Sequence, residues 1–346
     1  MKYFIWLFIS LITILGCNKN NDIPEVEPWK TVFPAITEKI FDARVNGEEL
    51  HLISDSFFYR IHGDIVLEKR TLENTYYHNY SQPIIGRSLF FRLINFDTVA
   101  YLEFQPIKPG GNVKRISYSE FGDDKLTFPI SHGFAARHNG RFDDQNHFLF
   151  AGFDYPSLQQ FISYLEIDYD SISNNINGIN IIERQDLNPV FGFDEQYRVE
   201  DVFETDGIFF LNVGYGGHYR YTPGFLNYNP TTTLYSIIKE ESGYYSSDLS
   251  RRIIQSSDLG TSWVATPFSL NHGWVLLKEG DYFIETNEYG QLFRVGKKLD
   301  ELISFSFPPY GDVPFTYADI KYYAGRYLIF VSIEGKNQIF SRSTLQ

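Results

Sequence analysis

Eight residues, Ser256-Ser257-Asp258-Leu259-Gly260-Thr261-Ser262-Trp263, constrain the fold of this chain more than any other stretch. Gly260 permits a backbone conformation that residues with a Cβ avoid. Asp258 carries a carboxylate short enough to accept backbone N–H groups inside a tight turn, and the Ser256 and Ser262 hydroxyls can assist. Trp263 then opens the next strand with a large apolar surface to pack. The octapeptide predicts a structured connection between two β-strands.

The rest of the sequence repeats one kind of unit. Each has a Gly or Asn turn, a strongly apolar strand, a second turn and an alternating strand. Such units start at Gly86, Asn146, Gly207, Gly280 and Gly325, about 60, 60, 73 and 45 residues apart, and a further one spans Phe57 to Leu67. The spacing is irregular but close to the roughly 40–50 residues of one propeller blade. Aromatic residues make up 18% of the chain, with 25 Tyr and 32 Phe, a composition suited to pleated, half-buried surfaces. Gln159–Leu165 reads equally well as a short helix or a long strand.

Ser256–Trp263 resembles the Asp-box, S-x-D-x-G-x-T/S-W, which marks blades of sialidase-like β-propellers; Ser256, Asp258, Gly260, Ser262 and Trp263 fill its positions. Thr286, Glu288, Gly290 and Phe293 align with it as a degenerate copy. The resemblance implies an all-β fold, a β-propeller. Six blades are favoured, within a range of five to seven. A β-sandwich pair or a lipocalin-like barrel are the alternative architectures. Thr316–Lys321, Tyr327–Ile333 and Gln338–Arg342 give a last blade of only three strands. An N-terminal strand, Lys39–Arg44, is therefore expected to close the ring.

The N-terminus carries a different message. Lys2 precedes an apolar run from Tyr3 to Leu15, a secretory signal too short to span a bilayer. Ile14-Leu15-Gly16-Cys17 resembles the lipobox of bacterial lipoproteins, in which the cysteine thiol receives a diacylglycerol and the new amino group is acylated. Cys17 is the sole cysteine, which excludes intrachain disulfides and any Cys-based site in the folded part. The domain plan expected is a signal peptide at 1–16, a lipidated tether at 17–34 and the propeller at 35–346. The localisation expected is the bacterial cell envelope, anchored by lipid at the outer membrane.

Without Lys2 the chain has 29 basic against 43 acidic residues, a net charge of −14. That balance argues against nucleic acid and against electrostatic adsorption to anionic lipid. The membrane contact expected is through the lipid anchor, and the partner a glycan or protein. No nucleotide-binding glycine loop or nucleophile elbow is present, and no cofactor is expected. His132, His138 and His147, near Asp143 and Asp144, read as loop residues rather than a metal site.

Tyr59-Arg60-Ile61-His62 resembles the F/Y-R-I-P motif of sialidases, whose arginine binds the substrate carboxylate; His62 departs from it. No spacing marks the further arginines or the acids that such an enzyme needs. Arg60, together with Tyr215, His218 and Tyr219 of a Gly-aromatic loop, are the candidate ligand-binding residues. The function expected is a non-catalytic, ligand- or partner-binding propeller. The alternatives are a sialidase-type glycoside hydrolase and an envelope-assembly scaffold.

Overall fold

The computed structural model describes residues 29–343 except 55, 73–82, 97–98, 118–139, 155–158, 188–198, 214–216, 271–272, 280–281, 288–291, 296–316 and 334–335. Every regular element among them is a β-strand, and the strands form seven antiparallel sheets. The chain folds as an all-β propeller.

Strand β1 is Lys30–Val32. The first blade then holds β2 (Ile40–Asn46), β3 (Glu49–Ser54), β4 (Phe57–His62) and β5 (Ile65–Thr71). The second holds β6 (Ile84–Ile85), β7 (Leu89–Phe96), β8 (Val99–Pro106) and β9 (Lys114–Ser117). The third holds β10 (Gly140–Phe142), β11 (His147–Asp154), β12 (Gln159–Asp170) and β13 (Asn175–Leu187). The fourth holds β14 (Val199–Thr205), β15 (Ile208–Val213), β16 (His218–Thr222) and β17 (Phe225–Asn229). The fifth holds β18 (Ile238–Glu240), β19 (Gly243–Ser247), β20 (Arg252–Ser256) and β21 (Val264–Ser269). The sixth shows β22 (Gly273–Glu279), β23 (Tyr282–Asn287) and β24 (Leu292–Val295). The seventh is β25 (Tyr317–Tyr323), β26 (Arg326–Ile333) and β27 (Lys336–Arg342), completed by β1.

Seven sheets stand at the upper end of the expected range, above the favoured six. The extra blade lies in the longest gap between units, from Gly207 to Gly280. Its second strand, Gly243–Ser247, is short and all tyrosine and serine after its glycine, so it lacks the aliphatic run that marks the other six. Gln159–Leu165 belongs to a strand, β12.

An N-terminal strand closes the ring, but it is not Lys39–Arg44. β1 pairs with β27 in the register Lys30↔Ser341 and Val32↔Ile339. Most of Lys39–Arg44 falls in β2, whose first four residues are buried. A strand covered on both sides belongs beside the axis, while the exposed Lys30 and Thr31 suit an outer edge. Folded structure thus begins within the stretch expected to be tether. Phe33 and Ile36, between β1 and β2, join a core with Leu328, Phe330 and Ile339 of the last blade.

Packing between blades follows from alternation along the second strands. In β7, Phe91 and Leu93 meet Phe148 and Phe150 of the third blade, while Phe90 meets Phe58 of the first. Phe91 and Phe148 lie 4.5 Å apart by ring centroid, and Phe58 stacks on Phe90 at 5.0 Å. Arg92 sits on the Phe90 side, fully buried, with Nε 3.0 Å from Glu103 Oε1. Glu103 also accepts from Gln105 Nε2 at 2.6 Å and Arg115 Nε at 2.9 Å, so its charge is matched and its lone pairs are used. Tyrosine hydroxyls tie blades at their margins: Tyr323 donates to the Ile61 carbonyl, and Tyr221 to Glu183 at 2.7 Å.

Candidate functional site

The inner strands β2, β6, β10, β14, β18, β22 and β25 surround the axis, several contacting their neighbours directly. Each presents an open edge of N–H and C=O groups, which must find partners where they are buried. Polar side chains of the preceding blade supply them. Asp42 Oδ2 accepts the Ile85 N–H at 2.7 Å, and Arg44 Nη1 reaches the Ile85 carbonyl at 3.5 Å. Arg141 Nε donates to the Val202 carbonyl at 2.9 Å and lies 3.8 Å from Asp42. Asp201 and Asp319 repeat the local pattern of Asp42, each accepting the N–H of the next residue through Oδ1.

These groups converge at the end of the axis where first strands turn into second strands. Arg44 Nη2 pairs with Asp144 Oδ1 at 3.2 Å. Asp143 accepts the backbone N–H groups of Gln145 and His147 and lies 2.8 Å from His147 Nδ1. Glu204 accepts the Gly207 N–H at 2.9 Å. Burial raises the Glu204 carboxyl from 4.5 to about 7; Asp144 and Asp143 push the same way, and the Gly207 hydrogen bond and Arg44 oppose them. Perturbed carboxyls cluster at binding sites, so this rim is the best polar candidate on the axis. Its arginines and Asp42 also hold blade edges together, and no group of three or more metal-ligating side chains occurs among the described residues.

A pH dependence follows. Between about pH 4.5 and 7 the folded chain holds a proton on Glu204 that the unfolded chain has released, so stability falls as pH rises through that window. Glu204→Gln is expected to flatten that part of a urea-midpoint profile and to raise the midpoint at pH 8. An unchanged profile would show that Glu204 ionises normally.

The residues singled out in the sequence fall elsewhere. Arg60 lies on β4, the third strand of its blade, 3.7 Å from Glu49 and 4.0 Å from Glu68. Two carboxylates already neutralise it, and a third strand is remote from the axis. His218 is buried with Nδ1 at 2.5 Å from the Thr232 carbonyl, and burial lowers its pKa. Tyr219 is buried against Tyr228 at 4.7 Å. Neither offers a surface to a ligand; both pack blades. Tyr215, Cys17, His132 and His138 lie outside the described residues, as do Glu288 and Gly290.

Ser256–Trp263 joins the third and fourth strands of the fifth blade. Asp258 accepts from Ser256 Oγ at 2.7 Å, Ser262 N at 2.9 Å and Ser262 Oγ at 2.6 Å, and Gly260 N–H donates to Ser256 Oγ at 2.8 Å. The Ser262 hydroxyl, with the other donors, holds the Asp258 carboxyl down at about 2. Gly260 has φ +78°, and a Cβ there would lie 2.3 Å from the Phe210 ring of the fourth blade. Trp263 meets the same ring edge-on at 6.2 Å. Thr286 and Phe293, by contrast, flank a second-to-third-strand connection, so that stretch is not the topological counterpart of Ser256–Trp263.

Sequence reasoning missed Asp42, Arg44, Arg141, Asp144 and Glu204. The one signal was Asp two residues before a cation in F-D-A-R and A-D-I-K, too short a pattern to stand out without the strands beside it.

No protein-family model matches the sequence, and no curated protein matches it. Solved structures do match. YCF48 from Cyanidioschyzon merolae superposes with a TM-score of 0.55 at 10% identity, covering 91% of this chain and 99% of that one. A streptogramin B lyase gives 0.51 at 10% identity, covering 88% and 92%. The likeness is one of fold. Both matches run through nearly the whole ring, as expected if it is one architectural unit.

Proposed function

We propose that the chain is a cell-envelope lipoprotein whose propeller binds a protein or carbohydrate partner without catalysing a reaction. The observation that carries the anchor is Ile14-Leu15-Gly16-Cys17 behind a short apolar run, in a chain that uses cysteine nowhere else. Two or three acyl chains at Cys17 hold far more firmly than one, at about 0.8 kcal/mol per buried methylene. Ser256–Trp263 is read as an Asp-box, which marks architecture and not activity. The binding role draws on the fold: YCF48, similar in fold at a TM-score of 0.54, is known bound to D1 peptide. The commitment of Asp42, Arg44 and Arg141 to blade edges supports a non-catalytic reading.

Acylation is tested by feeding cells a palmitate analogue. Label is expected on the wild-type chain and absent from Cys17→Ala, which should leave the membrane fraction. Ligand class is tested on a glycan array beside a panel of fluorogenic glycosides. Turnover of any glycoside would replace this reading with the sialidase-type hydrolase.

A further inference from the structure

Antiparallel alternation places two kinds of turn on the same face of the ring: those joining first to second strands and those joining third to fourth. The tether arrives on that face too, because Lys30 at the start of β1 pairs with Ser341 near the end of a third strand, β27. Five third-to-fourth-strand turns are described, in blades one to five, and each has an exposed large apolar side chain within it or on the first residue after it. They are Ile65, Val113, Ile172, Phe225 and Leu259, the last with Val264 beside it.

Single exposed apolar residues are ordinary on protein surfaces. Here the distribution is not random. Of thirteen exposed large apolar side chains among the described residues, eight lie in these turns or within three residues of them. Ile172 is 95% exposed at the tip of the β12–β13 hairpin, which runs four residues past Glu166, the β12 partner of His147 at the start of β11. Leu259 holds φ +58°, a left-handed conformation that Gly or Asn adopts more easily, while more than half exposed. Folding gains nothing from an apolar side chain at either place.

We infer that this ring of turns is a membrane-contact surface, with Ile65, Val113, Ile172, Phe225 and Leu259 entering the headgroup region of the bilayer that holds the anchor. The inference rests on the acylation of Cys17 proposed above. The chain from Cys17 to Lys30 can span at most about 45 Å, and it enters the fold on the turn face. An anchor at Cys17 therefore presents that face to the bilayer more readily than the opposite one. Asp64 and Asp206, exposed on the same face, are ion-paired with Arg326 and Lys239, so these positions add no net cationic charge to hold anionic lipid, and zwitterionic lipid is the fitting surface.

The test uses the full-length protein on phosphatidylcholine vesicles and a thiol-reactive, environment-sensitive fluorophore. An acylated Cys17 has no free thiol, so dye uptake by the wild-type chain would fail the anchor reading alone, and the probes would then be read in a Cys17→Ser background. Ile172→Cys, Phe225→Cys and Leu259→Cys are expected to give blue-shifted emission, quenched by lipid carrying a headgroup nitroxide. Leu249→Cys, on the second-to-third-strand turn of the fifth blade, is expected to give neither effect. Turn probes as indifferent to vesicles as the Leu249 probe, in either background, would overturn the inference.

Discussion

Glu103→Ala is expected to destabilise the propeller by about 3–5 kcal/mol, the cost of leaving a buried charge without its partner. Arg92 and Glu103 are both 1% exposed, and Arg92 Nε donates to Glu103 Oε1 at 3.0 Å. Removing the carboxylate takes its counter-charge from the buried Arg92 and its acceptor from Gln105 and Arg115 together. At about 2 °C per kcal/mol for a domain of this size, the melting temperature should fall by roughly 6–10 °C. The double change Arg92→Met with Glu103→Met should recover much of that loss, since well-packed apolar side chains often replace a buried ion pair at little cost. A calorimetric scan of both variants decides it. A single variant within about 1 kcal/mol of wild type would mean that water reaches the pair.

Deleting residues 2–37 is expected to be as damaging by a different route. The deletion removes β1 and with it the fourth strand of the seventh blade. It also removes Phe33 and Ile36, at 9% and 3% exposure, from the core shared with Tyr323, Leu328 and Ile339. Each such side chain contributes about 1.5–3 kcal/mol through burial, and β27 is left with an unpaired edge. The shortened chain should unfold at least about 4 kcal/mol more easily in urea and associate through the bared edge in light scattering. Deleting residues 2–28 should do neither. Equal stability of the two deletions would show that the ring does not need β1.

Much of the architecture could be read before the structure, because blades announce themselves through their second strands. Phe-Phe-Leu-Asn-Val in β15 and Leu-Ile-Phe-Val in β26 are apolar on both faces, since each is covered by a blade on either side. The fifth blade escaped notice for the converse reason: Gly-Tyr-Tyr-Ser-Ser carries its burial through tyrosine and serine. Ring closure was legible as a need and not as a location, because a strand of three residues, Lys30 to Val32, has no pattern of its own. The axial rim was least legible. Arg44 and Asp144 meet across a hundred residues, and what brings them together is the curvature of a ring. The two acidic neighbours of Arg60, Glu49 and Glu68, come from the strands on either side of β4, which a local motif does not show.

The pairing of Lys30 with Ser341 has a consequence for how the chain is made. A strand that leaves the ribosome among the first must wait for the last residues before it finds its partner. Contacts of such long separation form slowly, since chain closure must come before any gain from pairing. If Cys17 is acylated as proposed, a chain that crosses a membrane N-terminus first would carry its anchor while its final blade was still open. The ring would close only after the chain was already held at the bilayer.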